Sequence, residues 1–389
     1  MLNFEYLLPT RVIFGKGTHL DVGNIARRSG ASRILFHYGG GSIRRNGVYD
    51  AVTDSMQRAG VSYIELGGVR PNPRLSLVYE GIRLCRQERI DFILAVGGGS
   101  VIDSAKAIGM GAAHTERDVW DFYSGAAPER TLPVGVVLTI PAAGSETSMS
   151  SVISREEDHL KRSCNDETIR PVFAIMNPEL TYTLPAYQTA CGAVDIMAHV
   201  MERYFTTTDH VETTDRLSEA VLLSMIANVP RALRQPDDYH SRAEIMWCGS
   251  LAHSNFLGVG RVQDWATHQM EHEISALYDI AHGAGLAILF PAWMRHVYRA
   301  DVDRFAQFAA RVWDVPESDD RETMAREGID RLESFFSSIG MPTRLSHAGI
   351  DASRIDEMAR NTFCNNGDRT GTFVPLTLED KLAIFRAAV

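Results

Sequence analysis

Three observations predict an α/β domain followed by an all-helical one. Short, almost wholly apolar runs recur through the first half of the chain. Helix-like or small-residue segments follow them. Beyond Leu184-Pro185 such runs thin out and long amphipathic stretches take over. RILFHY (33–38), FILAV (92–96), VGVVLTI (134–140) and VFAIM (172–176) are apolar enough to be strands covered on both faces, as in a parallel sheet between helix layers. Residues 44–59 and 100–113 carry helical spacing, and the alternation of strand and helix reads as a doubly wound α/β fold. In the second half, TTDRLSEAVLLSMIANVPRAL sets Leu217, Val221 and Met225 one turn apart. Two domains are also the default for a chain of this length. The expected division is residues 1–184, an α/β domain, and residues 185–389, an all-helical one.

Bulk properties exclude several classes. A formal charge of −10 argues against a nucleic-acid partner, which calls for a concentrated basic surface. No apolar run approaches the roughly 20 residues of a membrane helix. The opening MLNFEYLLPTRVIFGKG lacks the basic-then-apolar pattern of a signal peptide. Five cysteines, Cys85, Cys164, Cys191, Cys248 and Cys364, show no C-x-x-C pair, and read as reduced thiols of a cytoplasmic protein.

Three turns point to a nucleotide. Gly97-Gly98-Gly99-Ser100 lies between the second strand and a helix start, where glycines admit a ligand to the backbone and the helix N-terminus favours phosphate. Ile102 occupies the third glycine position of the dinucleotide fingerprint, so the match is incomplete, and Ser100 with Asp103 also reads as an ordinary capping box. TIPAAGSETS (139–148) follows the third strand and YGGGSIRR (38–45) the first. Together they converge on the sheet edge where such folds bind dinucleotides. An NAD site commonly places an acid near a strand end to hold the ribose hydroxyls. Here Gly39, Gly40, Gly41 and Ser42 stand in that turn, followed by Arg44 and Arg45, a set suited to a 2′-phosphate. The expectation is NADP(H) over NAD(H).

The second half carries metal-ligand residue types at helical spacing. Asp195 and His199 are four apart, as are His268 and His272, and His282 follows, next to Gly283. Each i, i+4 pair shares one helix face. One carboxylate and several imidazoles suit a divalent cation such as Fe2+ or Zn2+, although close histidines also arise by chance among the 13 present.

PTRVIFGKG, GGGSVIDSAKAI, TIPAAGSETS, VDIMAH and THQMEHEISALYDIAHGAGLAILFP, in that order, resemble the iron-containing (metal-dependent, type III) alcohol dehydrogenase family. The likeness is nearest to its bacterial NADP(H)-dependent butanol dehydrogenases and aldehyde reductases, and runs from about Thr10 to near the C-terminus. The resemblance implies a dehydroquinate synthase-like architecture, with a catalytic metal on Asp195, His199, His268 and His282. It implies a further active-site histidine at His272. Gly98, Gly99, Ser100, Asp103, Thr139, Ser145 and Lys161 fall on cofactor-contacting positions. Ala281 stands where many members have proline before the last ligand, and the tail CNNGDRTGTFVPLTLEDKL follows the family pattern loosely.

The implied activity is reversible hydride transfer between nicotinamide and short aldehydes or alcohols by a homodimer. His272 would either relay a proton or orient a ligand. The rivals are a glycerol, diol or other polyol oxidoreductase on the same scaffold, a dehydroquinate synthase, a maleylacetate reductase, and a metal- or nucleotide-binding module without turnover.

Overall fold

The computed structural model describes all 389 residues. Eight strands form: β1 (Arg11–Phe14), β2 (Arg33–Tyr38), β3 (Ser62–Leu66), β4 (Phe92–Gly97), β5 (Val134–Leu138), β6 (Ser150–Arg155), β7 (Leu160–Asn165) and β8 (Phe173–Met176). Six make a sheet in the order β1-β8-β5-β4-β2-β3, every neighbouring pair parallel. Residues of one strand alternate between two apolar layers. Ile34, Phe36, Phe92, Leu94 and Val96 enter one core, and Leu35, Ile93, Ala95 and Val136 the other. All nine side chains are fully buried, each contributing about 1.5–3 kcal/mol for the larger aliphatic and aromatic groups.

The four apolar runs are strands β2, β4, β5 and β8. The two edge strands, β1 and β3, escape a reading based on apolar runs because they are only partly covered and carry polar residues, as in SYIEL. The antiparallel β6–β7 hairpin is polar for the same reason. The helix read over 44–59 is broken: Ser42–Arg45 ends before Gly47, whose φ of 78° is left-handed, and Val48–Arg58 then begins.

Two compact units result. One consists of Leu7–Leu184 with Gln235–Ser254, the other of Met1–Tyr6, Pro185–Arg234 and Asn255–Val389. The chain therefore returns to the α/β unit after residue 185, which a single boundary there does not capture. Small residues make this packing close. The absent Gly144 side chain leaves room for the Gly249 carbonyl and His253, and Ser250 Oγ donates to the buried Glu146 carboxylate. Close approach between small residues leaves no periodic signal. The helical unit contains Ala186–Tyr204, Glu212–Arg234, Ala266–Tyr278, His282–Val297, Val302–Trp313 and Arg321–Ser338 among its helices. Phe205, Trp293, Phe305, Phe308 and Phe373 form an aromatic core in it, with Phe205 and Phe305 stacked at 4.4 Å. No helix is long and apolar enough to cross a membrane.

Candidate active site

In the α/β unit, β2, β4 and β5 are adjacent, so the three small-residue turns that end them line one sheet edge. β4 ends at Gly97 and the 15-residue helix Gly99–Ala113 starts two residues later, with Gly98 as N-cap. A side chain at Gly97 would collide with Val101. Side chains at Gly98 and Gly99 would stand 3.0 Å from Ile140 and Ala143. The chain turns this tightly only with glycine, which leaves backbone rather than side chain at the helix start. The capping box does not form. Ser100 lies inside the helix, no side chain caps its N-terminus, and Asp103 is engaged elsewhere. The first-turn N–H groups and the positive dipole end therefore suit an anion.

Asp103 accepts from Ser145 Oγ at 2.6 Å and from the Val152 N–H at 3.0 Å, which ties the TIPAAGSETS turn and β6 to the Gly99–Ala113 helix. Thr139 follows β5 and bonds the Gly97 carbonyl at 3.0 Å through its backbone N–H. Lys161, 4% exposed, sits in β7 opposite Ser154 and acts electrostatically on Asp103. Sequence reasoning missed Lys106, three residues after Asp103. It is wholly buried and donates to the carbonyls of Ser145, Ser148 and Ser150 at 2.7–3.0 Å and to two serine hydroxyls. Burial lowers its pKa to about 8, against the pull of Asp103 and Glu146. A lysine in the otherwise apolar run VIDSAKAIGMG was the available signal.

In the first turn, Gly68 N–H bonds the Gly39 carbonyl at 2.8 Å, and Ser42 opens the next helix. A Cβ on Gly40 would meet nothing within 4 Å. The two arginines divide. Arg44 donates to Glu65 and Tyr38 at 2.9 Å and lies 3.7 Å over the Tyr49 ring, so its charge is largely matched. Arg45 folds back toward Gly41, its Nη1 3.1 Å from where a Cβ would stand.

In the helical unit, the helix Ala186–Tyr204 carries Asp195 and His199 and the helix Ala266–Tyr278 carries His268 and His272, while His282 opens His282–Val297. Four of the five are 6% exposed or less, and His282 is partly buried. Asp195, His268 and His282 each bring one ligand atom within 4.8 Å of the others. Around Asp195 Oδ1 stand His199 Nδ1 at 3.7 Å, His282 Nε2 at 3.8 Å and His268 Nε2 at 3.9 Å. Ligands about 2.1 Å from one tetrahedral ion lie about 3.4 Å apart, so these spacings are close to those of a shared cation. Asp195 Oδ1 and His268 Nε2 are buried and make no hydrogen bond, a costly arrangement unless a cation completes it. His199 also stacks on His268, with ring centroids 4.7 Å apart. His272 stands apart from that centre, grouping with Glu271 and His282, its ring 5.8 Å from the His282 ring.

Glu202 and Glu271, both fully buried and both missed from sequence, orient two of these imidazoles. Glu202 accepts from His268 Nδ1 at 2.7 Å, from the His268 and Trp265 N–H groups, and from Thr267 Oγ1. Glu271 accepts from His282 Nδ1 and Ser275 Oγ. Each histidine thus spends Nδ1 on a carboxylate and turns Nε2 toward Asp195, the arrangement found behind metal-bound imidazoles. Burial pulls the His268 pKa down, but Asp195 and Glu202 outweigh it and push it up to about 9, so the site favours positive charge. Gly283 is helical rather than a turn residue. Its missing Cβ lets the His282–Val297 helix approach the Cys191 carbonyl, and Gly285 likewise clears Glu271. The H-G-A-G pattern was the visible trace of both contacts.

Comparison with known proteins identifies the family. Residues 9–178 match the family model described as iron-containing alcohol dehydrogenase, and residues 189–389 match the C-terminal model of the same family. The chain is 39% identical over 388 residues to NADH-dependent butanol dehydrogenase A of Clostridium acetobutylicum, covering 99% of each. It is 36% identical to the NADPH-dependent aldehyde reductase YqhD of Escherichia coli over the full length of both. The solved structure of NADH-dependent butanol dehydrogenase A from Thermotoga maritima superposes with a TM-score of 0.96 at 38% identity, covering 100% of this chain and 99% of that one. Parallel sheet, helical C-terminal region, family models and relatives agree: the chain belongs to the iron-containing alcohol dehydrogenase family.

Proposed function

We propose that this protein is a metal-dependent, NADP(H)-linked alcohol dehydrogenase or aldehyde reductase acting on short aldehydes and alcohols. The observation that carries the reading is the convergence of Asp195 Oδ1 and His268 Nε2, both buried without hydrogen bonds, with His282 Nε2 and His199 around one point. Asp195, His199, His268 and His282 would hold Fe2+ or Zn2+, which when bound acts as a Lewis acid on the substrate carbonyl oxygen. The nicotinamide supplies or accepts the hydride, and the protein supplies orientation and charge. Glu202 and Glu271 keep His268 and His282 in one tautomer and one rotamer. Gly98, Gly99 and Ser100 present backbone to the pyrophosphate at an uncapped helix end, while Lys106 and Asp103 fix the Thr139–Ser145 turn beside it. The acid-free Gly39–Ser42 turn with Arg45 folded over it favours a 2′-phosphate, hence NADP(H). His272, one helical turn from His268, would hand a proton to the developing alcohol. The reading extends to a homodimer in the cytoplasm.

Metal analysis on protein purified without chelator, with NADPH and NADH assayed against short aldehydes, alcohols and diols, tests it. About one metal per chain and NADPH-dependent reduction of butyraldehyde are expected. No turnover on any of these substrates overturns the enzymatic reading in favour of a binding module, and equal kcat/KM for the two cofactors overturns the NADP(H) preference. His272→Ala retaining normal kcat across the pH range removes the relay role.

A further inference from the structure

The turn after β2 contains no acid, yet the fold brings one beside it. β3 runs parallel to β2 with Glu65 opposite Phe36, one pair before the end of the ladder. The two strand ends are stapled together. Gly68 N–H bonds the Gly39 carbonyl, Val69 N–H bonds the Tyr38 carbonyl, and the bare Gly67 makes room for the Tyr38 ring. Both carboxylate oxygens of Glu65 are engaged. Oε2 accepts from Tyr38 Oη at 2.8 Å and from Arg44 Nη2 at 2.9 Å, and Oε1 accepts from Tyr49 Oη. Arg44 Nη2 also donates to Tyr38 Oη, and its guanidinium lies over the Tyr49 ring. Burial alone would raise the Glu65 pKa, but the Tyr49 and Tyr38 hydroxyls and Arg44 outweigh it and lower it, so the group is a carboxylate at neutral pH. The Arg44 side chain is 50% exposed and that of Glu65 33%, which leaves the pair open to a ligand. Arg45 folds toward Gly41 instead.

We propose that Glu65 is a cofactor-specificity residue: it holds Arg44 in a neutral pair and so withholds one of two adjacent arginines from a 2′-phosphate. That phosphate is largely a dianion at neutral pH, and Glu65 both repels it and occupies the cation two residues beyond Ser42. A cofactor without the phosphate meets neither effect. Glu65 therefore narrows the gap between NADPH and NADH, and neutralising it widens the gap. This role rests on the Gly39–Ser42 turn seating the adenosine ribose, which Gly40→Asp tests separately.

Dissociation constants of NADPH and NADH on zinc-loaded holoenzyme, read from nicotinamide fluorescence, test it in a double-mutant cycle. Glu65→Gln is expected to tighten NADPH about fivefold at low salt and less at about 0.5 M salt, while NADH moves by less than about twofold. Arg44→Met is expected to be nearly silent in the wild type but to cancel the gain in the glutamine variant. Unchanged or weaker NADPH binding by Glu65→Gln overturns the proposal. So does an equal loss from Arg44→Met in both backgrounds, which means that Arg44 already serves the phosphate. Should Glu65→Gln fail to fold, Arg44→Met in the wild type decides: a loss beyond about threefold overturns the pairing, and a silent change upholds it. Tighter binding of NADH than of NADPH by the wild type overturns the NADP(H) preference, whereas the change on Glu65→Gln decides the role of Glu65.

Discussion

Single side chains decide most of the chemistry, and Glu202 is the most informative of them. It touches no ligand position of Asp195 or His282, yet it holds His268 through both ring nitrogen and backbone. Glu202→Gln keeps volume and burial but weakens the acceptor. Metal affinity is expected to fall about 10–100-fold, measured by chelator competition, with the fold retained by circular dichroism. Unchanged affinity would remove the orienting role. Lys106 yields a pH-dependent expectation. Its folded pKa of about 8 lies below the ordinary 10.5, because burial disfavours the ammonium. Between those values the unfolded chain binds more protons, so this group's contribution to stability rises as pH climbs from about 8 to 10.5. The stability difference between wild type and Lys106→Met, read from urea midpoints, should therefore grow in favour of wild type across that window. A flat difference contradicts the buried, shifted amine.

Turns and helices form the next scale. At Gly40 a side chain has open space, so Gly40→Asp introduces the missing acid without steric cost. KM for NADPH is expected to rise at least about tenfold through charge repulsion with a 2′-phosphate, while KM for NADH changes little or falls. Equal effects on both cofactors would show that this turn does not meet the phosphate. Gly283 is the opposite case. Its Cβ would strike the Cys191 backbone carbonyl, which cannot swing aside as a side chain can. Gly283→Ala should cost roughly 1–3 kcal/mol, seen as a lowered Tm, and should weaken metal binding because the two helices it separates carry Asp195 and His282. A variant with unaltered Tm would mean the helices part without cost.

For the molecule as a whole, the metal is expected to be a stability term as well as a reagent. Ligand binding to the folded chain alone stabilises by about 2.7 kcal/mol at a hundredfold excess over Kd. Removing metal with a chelator should lower Tm, and returning Zn2+ or Fe2+ should restore it, as followed by scanning calorimetry. His268→Ala should abolish that shift together with activity.

Much was legible in the sequence because it depends on local spacing. Runs such as FILAV and VGVVLTI lie in the middle of a parallel sheet, where both faces are buried and apolar residues are continuous. Asp195/His199 and His268/His272 share helix faces by arithmetic of 3.6 residues per turn. Glycine turns after β2 and β4 show through because a strand can reach a helix so abruptly only with glycine. Tertiary structure decided the rest, since contacts between distant segments have no period. It spent Asp103 on Ser145 rather than on a cap, turned Arg44 to Glu65, and returned Gln235–Ser254 to the α/β unit. It also brought Glu202 and Glu271 behind the imidazoles of His268 and His282. The ligand types were written along the chain; the carboxylates that aim them became visible only where helices meet.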